Sequence, residues 1–169
     1  IMNKYHQSVK SIDINKHHPI SNKTGGSTGT PFSYLITKRV ASMNWAGLYR
    51  GWEWANYRLG DKRLTLGGSS LHDTNSFKLF QYIRSKLERN INISAGSLTD
   101  SVFQSVVSTI KTHKPSFVYG YPSALYLFSE YCAENKITDL GFRSAFTTSE
   151  MLLPHYKKSI EAQFNCRVF

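Results

Sequence analysis

Between residues 38 and 57 the large apolar side chains Val40, Trp45, Leu48, Trp52 and Ala55 recur at helical spacing, from Trp45 on every three or four positions. Gly60-Asp61 closes that predicted helix, 63–66 reads as a strand and 67–70 (Gly-Gly-Ser-Ser) as a turn. Phe77, Phe80, Ile83 and Leu87 mark a helix over 76–89, followed by a strand at 91–94. Val102, Phe103, Val106 and Ile110 form the apolar face of the next helix, which Ser97 or Thr99 can cap and Lys114-Pro115 breaks. Residues 116–119 have the short apolar character of a buried strand, and Pro122 stands where proline opens helices, ahead of Leu125, Phe128 and Cys132. A strand at 144–148, a helix opened by Pro154 and carrying Ile160 and Phe164, and a strand starting at Arg167 complete the pattern. Before residue 38 the pattern is weak. Residues 1–20 read as a loop or strand remnant, 21–31 as a small-residue loop and 32–36 as a short strand.

Strand and helix alternating at this spacing predict an α/β fold: a mainly parallel sheet flanked by helices. Residues 116–119 and 144–148 are expected to be neighbouring parallel strands with helices on both faces of the sheet. A buried strand that begins at Arg167 makes residues 1–169 read as one incomplete domain, with an α/β subdomain over about 70–169.

Composition narrows the function classes. With 40% hydrophobic and 14% aromatic residues the 169-residue chain can bury a real core, which excludes a disordered tail. The longest apolar run, 124–128, is far short of the roughly 20 residues that span a bilayer. Residues 1–18 carry no apolar stretch of the kind a secretory leader needs, so a cytoplasmic protein is expected and the Asn22-Lys-Thr24 and Asn92-Ile-Ser94 sequons carry no weight. Cys132 and Cys166 have neither metal-ligand nor disulfide-scaffold spacing and read as structural thiols. His17, His18 and His113 lack partners at ligand spacing, so no metal site is expected among them. Trp45, Trp52 and Trp54 sit at helical spacing and read as core more readily than as a ligand platform. Of the net charge of +10, residues 1–114 carry all: 16 basic and 6 acidic side chains, against 5 and 5 in 115–169. That asymmetry fits a solvated surface or attraction to a polyanion.

The chemistry concentrates in Thr24-Gly25-Gly26-Ser27-Thr28-Gly29-Thr30-Pro31. Glycines let backbone N–H groups converge on an anion, and the hydroxyls of Thr24, Ser27 and Thr28 can donate to phosphate oxygens. No Gly-Lys-Ser/Thr follows, so this is not a Walker A loop, and the glycine spacing is not that of a dinucleotide fingerprint. A flexible linker has the same composition; Pro31 leading straight into an apolar strand argues against one.

The loop resembles the phosphate-binding signature of adenylate-forming enzymes, the acyl-CoA synthetase superfamily, written Ser/Thr-Gly-Ser/Thr-Thr-Gly-x-Pro. Where most of that superfamily has Lys after the proline this chain has Phe32, a departure that resembles the phenylacetate–CoA ligase branch and its capsular polysaccharide biosynthesis (CapK) relatives. Three further segments are similar in the same order: Trp52 to Gly60 with Asp61-Lys62, then Lys114-Pro115 with Tyr119-Gly120-Tyr121-Pro122-Ser123, then Thr147-Thr148-Ser149-Glu150-Met151-Leu152. The resemblance implies ATP-dependent activation of a carboxylic acid as an acyl-adenylate, with ATP and Mg²⁺ as cofactors and a thiol such as coenzyme A as acceptor. It implies phosphate binding by Thr24, Gly25, Gly26, Ser27, Thr28 and Gly29, and an adenine and acyl pocket lined by Tyr121, Ser123, Thr148, Ser149 and Glu150. Tyr119, Tyr121 and Ser123 fit equally a buried strand leading into a helix. Glu150 fits a ligand contact or a cap on the helix opened by Pro154.

The resemblance covers essentially the whole chain, yet the chain covers a minority of the family enzyme. The Mg²⁺-holding acid of a Tyr-Gly-x-x-Glu stretch, the ribose-binding Asp, the hinge and the C-terminal lid with its catalytic Lys have no counterpart here, so no catalytic residue is assigned. The 169 residues alone are expected to be inactive and, with an open strand edge at Phe169, prone to self-associate. The alternative class is a non-catalytic basic α/β module that binds RNA or a lipid surface. It would lose affinity steeply with salt and be indifferent to Thr28. Nucleic acid is not the expected partner, because aromatic residues are not interleaved with the basic ones.

Overall fold

The computed structural model describes residues 11–23, 33–67, 87, 89–94 and 98–169. The phosphate-loop residues 24–31 and nearly all of the predicted helix over 76–89 lie outside these. The chain forms two compact units, Ile1–Gly51 and Trp52–Phe169.

In the first unit a 3₁₀ turn, Ile14–His17, precedes β1 (Ile20–Lys23), which pairs antiparallel with β2 (Ser33–Ile36) from Ile20↔Ile36 to Lys23↔Ser33. β1 lies where the sequence pattern reads as loop, because Ser21, Asn22 and Lys23 carry no strand signal and extend only against a partner. Helix α1 (Lys38–Glu53) follows, its start capped by Thr37, whose Oγ1 accepts the Val40 N–H at 3.2 Å.

The second unit is a five-stranded parallel sheet in the order β4-β3-β5-β6-β7, with β3 Arg63–Gly67, β4 Asn90–Ser94, β5 Phe117–Gly120, β6 Ser144–Thr147 and β7 Arg167–Val168. β5 and β6 pair in parallel as expected, from Phe117↔Ser144 to Gly120↔Thr147. Helices α2 (Asp100–His113), α3 (Pro122–Glu134) and α4 (Pro154–Phe164) connect or follow these strands. Thr99 stands at the N-cap of α2, but its hydroxyl pairs with Ser101 Oγ at 3.0 Å and makes no capping bond.

Alternation along each strand decides what each face meets. Leu64, Leu66, Val118, Ala145 and Val168 point to one side and join Phe103, Val106, Ile110, Leu125, Phe128, Ile160 and Phe164 in a single core. α2, α3 and α4 therefore share that face; the helix expected over 76–89, between β3 and β4, lies outside the described residues. The intervening positions, Arg63, Thr65, Phe117, Tyr119 and Phe146, form a second buried layer under Trp52 and Tyr57. Trp52 and Phe146 stack at 5.1 Å, Phe117 and Phe146 at 5.6 Å, and Tyr57 meets Trp52 and Phe117 edge-on at 5.3 and 5.1 Å. Arg63, only 1% exposed, lays its guanidinium over Trp52 at 4.5 Å and donates to the Tyr57 hydroxyl at 3.5 Å.

The helix predicted over 38–57 ends at Glu53. Ala55 and Tyr57 donate their N–H groups back to Trp52 O at 3.0 and 3.2 Å, and Asn56 turns the chain with a φ of 61°. Trp52 is buried as expected of a core tryptophan, Trp45 is half-buried, and Trp54 is 79% exposed.

Both cysteines are free thiols, and burial holds each neutral: Cys132 is pushed up to about 12 and Cys166 to about 11 from 9.0. A thiol pKa raised by folding favours the native state below the unfolded value and loses that contribution as pH climbs through the folded one. Stability is thus expected to hold to about pH 9 and to fall between there and pH 12 through Cys132, as a urea titration against pH will show. Neither thiol should react with iodoacetamide in the native protein at neutral pH, and both should react in urea.

Candidate functional site

At the carboxyl edge of the parallel sheet β3 ends at Gly67, β5 at Gly120 and β6 at Thr147. β4 lies on one side of β3 and β5, β6 and β7 on the other, so the strand order reverses between β3 and β5. In open α/β sheets that reversal opens a crevice beyond the strand ends, the usual place for a ligand.

The backbone there is packed too closely for side chains. A Cβ on Gly120 would lie 2.2 Å from the Leu66 carbonyl oxygen of the adjacent strand, so only glycine fits. After Gly120 the chain passes through Tyr121, in extended conformation at the N-cap, and Pro122 opens α3 at its first turn.

Of the expected pocket residues, Tyr121, Ser123, Thr148, Ser149 and Glu150 all fall at this edge. Thr148 N–H donates to Gly120 O at 3.2 Å, tying the segment after β6 to the end of β5. Ser149 takes the left-handed conformation, with φ of 65°, and turns the chain so that the Glu150 carboxylate returns toward α3. There Glu150 Oε2 accepts the Ser123 N–H at 3.1 Å. Glu150 therefore caps a helix, but the one opened by Pro122 and not the one opened by Pro154. Its charge sits at the positive end of the α3 dipole. Glu150→Ala is expected to cost about 1 kcal/mol in urea denaturation, and Glu150→Gln less, because glutamine keeps the acceptor.

Beneath this turn the buried Tyr119 hydroxyl bonds to Thr148. Burial raises its pKa, while the Thr148 bond and the nearby Arg63 charge oppose the shift, so the phenol stays neutral at physiological pH. Thr147 is held from the other side: its N–H and Oγ1 both donate to Phe169 O, at 2.9 and 3.0 Å. Neither the close approach at Gly120 nor the Phe169 bonds are visible in the sequence. The one local sign is a glycine between two tyrosines immediately before a helix-opening proline.

The phosphate-loop residues Thr24, Gly25, Gly26, Ser27, Thr28 and Gly29 lie outside the described residues; the strands on either side of them, β1 and β2, are paired. Among the described residues no three His, Cys, Asp or Glu side chains gather to hold a metal ion. No helix among them is long and apolar enough to cross a membrane.

No protein-family model and no curated protein matches the sequence. Solved structures do match in fold. One is 2-hydroxyisobutyryl-CoA ligase in the postadenylation state, in complex with R3-HIB-AMP: TM-score 0.63, 18% identity, over 99% of this chain and 36% of that one. A second is ATP-bound MatB from Rhodopseudomonas palustris: TM-score 0.56, 12% identity, over 88% of this chain and 28% of that one. A third is the luciferase-like enzyme of the nonluminescent mealworm Zophobas morio: TM-score 0.54, 15% identity, over 88% of this chain and 32% of that one. At these identities the likeness is one of fold, and the chain spans about a third of the length of these structures.

Proposed function

We propose that this chain forms the nucleotide- and acid-binding part of an ATP-dependent ligase that activates a carboxylic acid as its acyl-adenylate. What supports the reading most is a convergence. Two of the four motif segments, 119–123 and 147–150, meet at the carboxyl edge where the strand order reverses, in a fold shared with a ligase crystallised with HIB-AMP.

In this reading a substrate carboxylate attacks the α-phosphate of ATP and pyrophosphate leaves. The obstacle is electrostatic, because an anion approaches a polyanion, and fixed donors lower it most. The hydroxyls of Thr24, Ser27 and Thr28 and the backbone N–H groups of Gly25, Gly26 and Gly29 hold phosphate oxygens. Tyr121, Ser123, Thr148 and Ser149 line the adenine and acyl pocket, and Glu150 keeps its edge in place by holding α3. Mg²⁺ would draw its ligands from groups other than those described, and no step is assigned to it. Transfer to coenzyme A or another acceptor completes the reaction. Phe32 after the loop proline and the Lys114-Pro115…Tyr121-Pro122-Ser123 segment favour the phenylacetate–CoA ligase and CapK branch, with a cytoplasmic role in capsular or surface polysaccharide synthesis. The 169 residues alone are proposed to be inactive, since they match about a third of the ligase structures.

The test is exchange of labelled pyrophosphate into ATP by the full-length protein over a panel of carboxylic acids. Exchange that appears only with an acid present is the expected result. Exchange without any acid, or none with any acid, overturns the assignment.

A further inference from the structure

The other end of the sheet has a different character. Arg63, Asn90, Phe117, Ser144 and Arg167 are mutual register partners, so all five parallel strands begin at one level. At the neighbouring-strand spacing this makes an edge about 19 Å long. Along it, Arg89 precedes β4, Lys62 precedes β3, Lys114 leads into β5, Arg143 precedes β6 and Arg167 opens β7. Lys62 is half-exposed and the other four are exposed.

The loop after α1 lies at the same edge, held there by Arg143 Nη2, which donates to Asn56 O at 3.3 Å. It presents two large apolar side chains to solvent, Trp54 at 79% exposure and Leu59 at 76%, with Arg58 beside Leu59. A cavity of about 450 Å³ lined by Glu53, Asn56, Tyr57, Arg58 and Leu59 opens within the loop. Asp61, which directly precedes Lys62, is turned into its own loop, where Oδ2 accepts the Arg58 N–H at 2.8 Å.

We propose that this amino edge of the sheet docks on an anionic phospholipid surface, with the row of cations against headgroup phosphates and Trp54 and Leu59 entering the interface. Three observations select this partner. The strand starts that carry the row are level, so its cations share one edge. Its charge complements an anionic leaflet. An exposed tryptophan and an exposed leucine in one loop, with Arg58 next to the leucine and Glu53 the one acid next to the tryptophan, supply the apolar part of an interfacial anchor. A single-stranded nucleic acid would need a groove and stacking platforms, and Leu59 offers no π-face. The proposal uses residues at the opposite ends of the strands from Gly120 and Thr147 and stands independently of the ligase reading.

Co-sedimentation of the full-length protein with vesicles of phosphatidylcholine alone, or mixed with phosphatidylserine, tests it. Binding is expected to the mixed vesicles only, to weaken as salt rises, and to shift tryptophan emission to the blue in the wild type but not in Trp54→Phe. Arg89→Glu with Lys114→Glu should weaken binding at least about twentyfold, and Trp54→Ser with Leu59→Ser about tenfold. The two variants are surface changes at separate places, and unchanged thermal midpoints establish that each is folded. Equal binding to both vesicle types, no binding, undiminished binding by both folded variants, or a preference for polyuridylic acid over the mixed vesicles at equal salt would each overturn the proposal.

Discussion

Gly120→Ala is expected to cost at least about 3 kcal/mol, a large share of the stability of a domain this size. A methyl group there would stand 2.2 Å from the Leu66 carbonyl oxygen and 3.3 Å from Leu125 Cδ2. The first contact is with backbone in the paired neighbouring strand, which cannot swing aside as a side chain can. β3 and β5 must separate at their ends or Leu66 must lose its place in the core. Urea denaturation is the measurement, with Gly47→Ala as control. Gly47 lies inside α1 with nothing within 4 Å of an added Cβ. Alanine there should stabilise by about 0.5–1 kcal/mol through lost unfolded-state freedom. A Gly120→Ala protein as stable as the parent would mean that the strand ends are not packed as described. Should the variant fold at reduced stability, its Tyr121, Ser123 and Thr148 will be displaced together, and any activity of that edge should fall with it.

The second large effect is on activity. Thr28→Ala in the full-length protein is expected to lower carboxylate-dependent pyrophosphate exchange by about tenfold to a hundredfold. The hydroxyl stands among glycines in Thr24-Gly25-Gly26-Ser27-Thr28-Gly29, a composition that brings donors to an anion. Thermal unfolding of the variant should match the parent to within about 0.5 kcal/mol, as for a side chain whose role is not packing. Thr28→Ser restores the donor and should recover most of the rate. Equal exchange in Thr28→Ala and parent would remove the loop from the phosphate site while leaving the fold untouched.

Much of the second unit was legible in the sequence, and for local reasons. The apolar period of α2, the proline at the start of α3 and α4, and the short buried strands around 117–120 and 144–147 each depend on residues within a few positions. The same reasoning overran at α1. Trp52, Ala55 and Tyr57 keep apolar spacing because all three are buried, but burial does not require helix, and Tyr57 N–H reaches back to Trp52 O in a turn. Trp54 shares the spacing and faces solvent for the same reason. β1 was hidden because its polar residues extend only against β2.

The candidate pocket divides along the same line. The motifs at 119–123 and 147–152 single these segments out in the sequence, and the structure brings them to one edge of the sheet. What each residue does depended on distant partners. Glu150 lies four residues before Pro154 but 27 from Ser123, and the helix it caps is the distant one, because the left-handed turn at Ser149 aims the carboxylate there.

By itself the sequence determined the α/β class and the alternation of strands and helices from β4 to β7, since periodicity, capping and turn residues act over one or two turns of chain. Only the tertiary structure decided the strand order β4-β3-β5-β6-β7, the gathering of three helices on one face opposite an aromatic layer, and the level start of all five strands. Those features follow from hydrogen bonds and packing between residues tens of positions apart. Many pairings satisfy the same local pattern, and the one adopted buries Leu64, Val118 and Ala145 against the helices while closing Arg63 and Phe117 under Trp52 and Tyr57.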